Sequence, residues 1–231
     1  MFAFLVGGLI VAATGGNPLA AYQGLLCGGF GIACANGENT ALQISTTIVF
    51  FTPLLLTGVA VALPFRAGLF NIGAEGQLLA GSVACTVIGV KLSGLPAPVL
   101  LPMVLVGGAL AGAAWGGIAG LLKATIGAHE VVTTIMLNYI AQWLVRYLIV
   151  GGPLQQPHGF SVSPPIGLGA RLPTFLPSGN TGLIVFGLPA GVYRVHTGLL
   201  IALAALAIFA FLLRRTSLGS EIRAVGQSQR A

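Results

Sequence analysis

The polar groups that could do chemistry in this chain are few and are set inside apolar tracts. In FRAGLFNIGAEGQLLAG, residues 65–81, two carboxamides and a carboxylate stand at Asn71, Gln77 and Glu75. In HEVVTTIMLNYIAQWLVRYLIV, residues 129–150, Thr134, Asn138, Gln142 and Arg146 recur every four residues. That spacing puts the four on one face of a helix, and a polar face in oily surroundings must look toward other helices or a watery path. Amides and hydroxyls read the donors and acceptors of a polar solute, whereas a lone carboxylate titrates, pairs with a cation or caps a helix. Two readings of Glu75 follow: a group lining a pathway, or a scaffold group that caps the next helix or pairs with Arg66.

Tyr139, Trp143 and Tyr147 form a second stripe, rotated by one residue from the polar one. The rings either stack on a flat solute such as a nucleobase or belong to an interfacial aromatic belt. His129 and Glu130 adjoin the start of this helix, but no nucleophile motif accompanies them, and an acidic residue in a first helical turn is ordinary. Cys27, Cys34 and Cys85 make no CxxC pair, and no His/Cys cluster has metal-ligand spacing, so neither catalytic nor metal-binding residues are expected. A bridge between Cys27 and Cys34 and a role for both as small apolar fillers stay open.

The elements that must position these groups are dictated by composition. Hydrophobic residues make up 56% of the 231, charged residues 6%, and mean hydropathy is +0.98. A soluble domain with about a quarter of its residues charged is excluded, because so few polar groups could not cover a core in water. Of the four acidic residues none is Asp, and the ten basic ones are scattered singly, unlike a stripe that tracks nucleic acid. The expected fold is all-α and membrane-integral: a polytopic helical bundle forming a single transmembrane domain over 1–231.

Six apolar tracts are candidate spans: Met1–Thr14, Thr46–Pro64, Glu75–Val90, Val99–Leu122, Val131–Val150 and Gly198–Leu213, with a broken helix around 65–75. The first is short of the roughly 20 residues a bilayer requires and lacks the basic start of a signal peptide, as though the chain begins inside a spanning helix. Alternating the spans puts Arg66, Lys123, Arg214, Arg215, Arg223 and Arg230 on the cytoplasmic side, against Lys91, Arg171 and Arg194 outside, with Arg146 snorkelling. Segments 15–45 and 151–196 are then external. The second, with seven prolines and nine glycines, suits an ordered loop carrying at most a short interfacial helix. Gly108, Gly112, Gly116 and Gly120 recur every four residues, a stripe that lets another helix backbone approach closely. In RRTSLGSEIRAVGQSQRA, Thr216 or Ser217 can cap a short basic helix and Gly226 can end it.

Three separated stretches, FRAGLFNIGAEGQ, HEVVTTIMLNYIA and TSLGSEIRAVGQSQRA, together resemble the membrane permease subunits of ATP-binding cassette (ABC) importers, in the nucleoside and simple-sugar branch of the branched-chain amino acid/ribose-type permeases. The wording NIGAEGQ followed by TIMLNYIA resembles the nucleoside type more than the ribose type. The resemblance implies a subunit in the bacterial-type cytoplasmic (inner) membrane that forms the pathway for nucleoside or sugar uptake. It also implies a second permease subunit, an extracytoplasmic substrate-binding lipoprotein, and a cytoplasmic ATPase that binds ATP and Mg. The chain itself has no GxxxxGK[ST] phosphate loop and is expected to need no cofactor beyond its lipid surroundings. Asn71, Glu75, Gln77, Thr134, Asn138 and Gln142 would line the pathway. Gly219, Glu221, Arg223, Ala224 and Gly226 match the pattern of the segment, here 214–231, that docks into the ATPase. Family members usually continue with further spanning helices, so the chain reads as C-terminally incomplete. The competing class is a secondary transporter or channel for a small polar solute, with Glu75 in ion coupling; a membrane-embedded enzyme ranks last.

Overall fold

A computed structural model describes residues 1–32, 34, 40–157, 160–175, 184–185, 188–189 and 195–227. Glu38, Asn39 and Arg230 lie outside the described residues. Each of the six apolar tracts becomes a helix: α1 (Phe2–Ala13), α3 (Thr40–Arg66), α4 (Ala74–Lys91), α5 (Ala97–Ile126), α6 (Glu130–Ile149) and α7 (Gly198–Arg215). Two more were not read as spans, α2 (Pro18–Phe30) and α8 (Ser217–Gln227).

Three helices are long and apolar enough to cross a membrane by length and composition: α3 over Leu42–Arg66, α5 and α7. In their most apolar windows only 6%, 11% and 17% of residues are buried, so the oily surface points outward, as lipid contact requires. Helices α4 and α6 have 18 and 20 residues, but Glu75 and Gln77 in one and Asn138, Gln142 and Arg146 in the other dilute their apolarity. With 12 residues, α1 extends about 18 Å, short of a bilayer's hydrocarbon thickness.

The chain divides into two compact units. In the unit of Met1–Leu54 and Pro173–Ala202, α2 corrects the expectation that 15–45 is a loop throughout. Its start is written in Asn17-Pro18: the Asn17 side chain accepts from the Leu19 amide at 2.9 Å and the Ala20 amide at 3.4 Å, while Pro18 needs no donor at the first position. The Tyr22 hydroxyl donates to the Phe4 carbonyl of α1, with the two rings 5.8 Å apart. Cys27, at the end of α2, is disulfide-bonded to Cys34, which settles the question left open by the sequence. In the same unit, Phe175 and Thr197 amides bond the Val195 and Pro173 carbonyls, closing the long segment at the foot of α7, and Ile184–Val185 pairs antiparallel with Leu188–Pro189.

The second unit, Leu55–Leu172 and Leu203–Ala231, is built on the α4–α5 pair. Three of the four striped glycines meet α4 as the spacing predicts. A methyl on Gly112 would fall 3.2 Å from the Gln77 carbonyl and one on Gly81 3.0 Å from the Gly108 carbonyl, while Gly108 also abuts the Cys85 sulfur. Backbone-to-backbone approach of this kind gives dispersion contacts that lipid cannot match. At one end Leu100, Val104 and Ala170 form a small core, onto which Cys85, Ile88, Leu92 and Ile166 pack. Ala170 belongs to a 3-10 turn, Leu168–Ala170, within the 151–196 loop where a short interfacial helix was expected. That turn is held by the Gly167 amide on the Gly89 carbonyl at 3.3 Å.

Candidate functional site

The helix break expected around 65–75 is a true interruption: α3 ends at Arg66 and α4 starts at Ala74. Gly68 makes the turn with φ +75°, a left-handed conformation that side chains with a Cβ disfavour, and the Leu69 amide reaches back to the Pro64 carbonyl at 2.9 Å. Unwound backbone within an apolar protein needs substitutes for its lost helical hydrogen bonds. The sequence supplies them from two amides and a hydroxyl. Asn71 Oδ1 accepts from the Gly73 amide at 2.9 Å. Asn138 of α6 spans the junction, with Nδ2 donating to the Ile72 carbonyl at 2.9 Å and Oδ1 accepting from the Gly76 amide at 2.8 Å. One turn earlier on α6, Thr134 Oγ1 donates to the Glu130 carbonyl at 2.7 Å and accepts the Ile72 amide at 3.4 Å.

Gly76 is buried where this clamp closes. A methyl there would lie 2.9 Å from both Asn138 Oδ1 and the Trp115 indole nitrogen, a nitrogen that is buried without a hydrogen-bond partner. Glu75, one residue away, is exposed and accepts from Gln142 Nε2 at 2.9 Å. Arg66 forms no ion pair with it; among the described residues the ion pair is Lys123 Nζ to Glu130 Oε2, at 2.7 Å. Hydrogen bonding from Lys123 holds the Glu130 carboxyl, just ahead of the apolar span, below its ordinary range. Glu130 stands in the first turn of α6, as its position predicts, with its carboxylate engaged by Lys123.

A cavity of about 340 Å³ opens beside the junction, among the end of α3, the 67–73 turn, α5 and the start of α6. Asn71, Gln77 and Thr134 reach its wall, together with the Lys123–Glu130 pair and the bare backbone of Gly112, Gly116 and Gly120. A methyl on Gly120 would meet nothing within 4 Å, so this fourth striped glycine faces open space, not a helix. A second cavity of about 300 Å³, between α3, α4 and α5, shares Ala60, Gln77, Gly112 and Ala113 with the first. Asn138, Glu75 and Gln142 line neither. The aromatic stripe is elsewhere again: Tyr139, Trp143 and Tyr147 are 60%, 64% and 69% exposed on the outer side of α6, with the Arg146 guanidinium 5.4 Å from the Trp143 ring centre.

At the far end of the unit, Thr216 Oγ1 accepts the Gly219 amide at 3.2 Å and starts α8, as expected. Gly226 does not terminate that helix, which continues to Gln227. Its role is steric: a side chain at Gly226 would strike the Arg66 carbonyl, and Gly68 lies against the Gly226 backbone from the other side. Gly219, seven residues earlier and so on the same face, is buried against the Leu212 and Leu213 carbonyls at the end of α7. Glu221, Arg223 and Ala224 are exposed, Glu221 and Ala224 on the far side of α8 from Gly219.

The family model for the branched-chain amino acid transport system permease component matches residues 43–231. The chain belongs to that permease family. It is 38% identical over 225 residues to a guanosine ABC transporter permease protein of Bacillus subtilis, covering 97% of this chain and 59% of the relative. It is 37% identical over 231 residues to a glucose ABC transporter permease protein of Haloferax volcanii, covering 99% and 57%. A nucleoside ABC transporter permease protein of Lactococcus lactis is 33% identical over 228 residues, covering 98% and 58%. The chain therefore spans somewhat under three fifths of the length of these relatives. No solved structure matches it significantly.

Within this permease-family chain, reading from sequence found the polar residues but could not sort them. It missed Lys123 and the open glycine Gly120 as cavity walls, since a lysine between apolar runs reads as a topology signal and a striped glycine reads as packing. It also missed Trp115, for which a single Trp inside a glycine-rich run is the one available sign.

Proposed function

We propose that this chain forms part of the pathway of an ABC importer for nucleosides, with ATP and Mg bound by a separate cytoplasmic ATPase. The observation that carries the proposal is the guanosine permease relative, alignable with nearly the whole chain. Two features of the molecule fit it. A cavity bordered by neutral amides, a hydroxyl and a Lys123–Glu130 pair whose charges offset each other suits an uncharged polar solute, and α8 offers exposed residues over buried Gly219, as a docking segment should. A second permease subunit and an extracytoplasmic binding lipoprotein complete the proposed assembly in a cytoplasmic membrane. The orientation with 214–231 inside follows the positive-inside rule and puts Cys27–Cys34 on the oxidising side, where a disulfide persists.

Sugar is the second reading, on the strength of the glucose permease relative. Uptake of labelled guanosine by the complete transporter, competed with adenosine, glucose or ribose, separates the two. Competition by nucleoside alone supports the proposal, whereas competition by sugar alone refutes it. Dependence on the ATPase is checked by omitting it: accumulation driven by an ion gradient without ATP would overturn the importer reading.

Glu75 offers a sharper control. Its contact is a single hydrogen bond accepted from Gln142 Nε2, which Glu75→Gln can keep through its own side-chain oxygen. ATP-driven uptake by that variant is expected to stay within about twofold of wild type, because no more than a fraction of a kcal/mol is at stake for an exposed pair. Loss of uptake together with loss of proton dependence would favour the secondary-transporter class instead.

A further inference from the structure

We propose that Gln77 is the solute-reading group of this chain, and that it selects uncharged solutes carrying adjacent hydrogen-bond donor and acceptor atoms, such as the edge of a nucleobase. The inference rests on the pathway reading above and narrows it to one side chain. The polar groups of the junction are already engaged: Asn71 with Gly73, Thr134 with Glu130, Asn138 with Ile72 and Gly76, and Glu75 with Gln142. The Gln77 side chain makes no hydrogen bond within the described residues. It is half-buried, yet keeps one acceptor and two donors unspent.

Its place is as telling as its freedom. Of the four residues common to both cavities, Ala60, Gln77, Gly112 and Ala113, Gln77 alone has a polar side chain. Its amide rests on Gly116, where an added methyl would sit 2.7 Å from Nε2 and 3.0 Å from Cδ. The missing side chain at Gly116 lets the amide lie close against α5 where the two cavities share lining, with no side chain there to compete for its hydrogen bonds. A solute crossing from one cavity to the other meets this amide, and a carboxamide pairs best with a donor and an acceptor presented side by side. Discrimination follows from pairing: a site that reserves polar atoms for a partner disfavours solutes that leave them unmet.

The test uses the complete transporter with its ATPase and binding protein. Gln77→Leu is expected to assemble with unchanged thermal stability, since no intramolecular hydrogen bond is lost, while guanosine uptake falls about tenfold or more, the loss of one good hydrogen-bonded pair. Gly116→Ala, which displaces the amide but retains it, is expected to reduce uptake similarly. In a Gln77→Cys, Cys85→Ala variant, guanosine is expected to slow labelling by a small water-soluble thiol reagent, and ribose is not; Cys27–Cys34 is bridged and the half-buried free thiol of Cys85 is removed. Wild-type guanosine uptake by Gln77→Leu, its failure to assemble, or equal protection by ribose would each overturn the proposal. Absence of guanosine uptake in the wild type would instead mark failure of the underlying nucleoside reading, and the assignment to Gln77 would fall with it.

Discussion

Replacing Asn138 by leucine is expected to destabilise the second unit by about 2–4 kcal/mol and to abolish uptake by the assembled transporter. Two hydrogen bonds disappear together, at 2.8 and 2.9 Å, and both partners are main-chain groups at the broken helix. Each costs about 1–3 kcal/mol when its partner is left unmatched in a poorly hydrated place. The Gly76 amide and the Ile72 carbonyl stand four residues apart yet do not bond each other, because Ile72 lies ahead of the start of α4 at Ala74. Leucine is similar in volume, so the effect isolates the amide from the packing. Asn138→Asp gives a second measure: Oδ1 can still accept from Gly76, but the other oxygen confronts the Ile72 carbonyl, so most of the loss should remain. Thermal unfolding in detergent, paired with proteolysis at the 67–73 turn, reads the result. A leucine variant as stable as wild type would show that Asn138 does not hold the junction.

The second large effect is expected at the other end of the same turn. Gly226→Val should leave α8 helical but lift it from the Arg66 carbonyl, since a Cβ there has no room. If α8 docks into an ATPase as proposed, ATP hydrolysis and transport then separate: uptake should fall about tenfold or more while the ATPase still binds. The reason is geometric. Gly226 touches Arg66–Gly68, and six residues beyond Gly68 begins α4, the helix that carries Gln77 to the cavities. A displacement of α8 thereby has a short, packed route to the pathway. Glu221→Ala is the contrasting variant, exposed and, five positions from Gly226, on the other side of α8. It should weaken ATPase binding without altering the packing of the turn. Normal coupled uptake by Gly226→Val would remove the contact from the coupling route.

Legibility from sequence differed by kind of feature. The helix break was readable because Gly68, Asn71 and Gly73 concentrate turn-forming residues between two apolar tracts. The glycine stripe was readable because its period matches a helix. The α2 helix was overlooked although Asn17-Pro18 announces it: alternating the spans made 15–45 an external segment, and its glycines at 24, 28 and 29 are tolerated because the segment is pinned by the Asn17 cap, Tyr22 and the disulfide. Gly226 reads as a helix terminator because a glycine near a helix end usually has that role, whereas its partner is a carbonyl 160 residues away.

The sequence by itself determined that this is a membrane-integral helical protein of the permease family, and which few polar residues it keeps in apolar surroundings. Periodicity and composition are local properties, and they suffice for that. Only the tertiary structure decided what each polar group does. Whether an amide is free or engaged depends on partners distant in the chain: Asn138 lies 66 residues from the Ile72 carbonyl it binds, and Gln142 lies 67 from Glu75. Hydrogen bonding saturates, so an amide that holds a backbone junction has little left for a solute. Among the described polar side chains that line the two cavities, that accounting leaves Gln77.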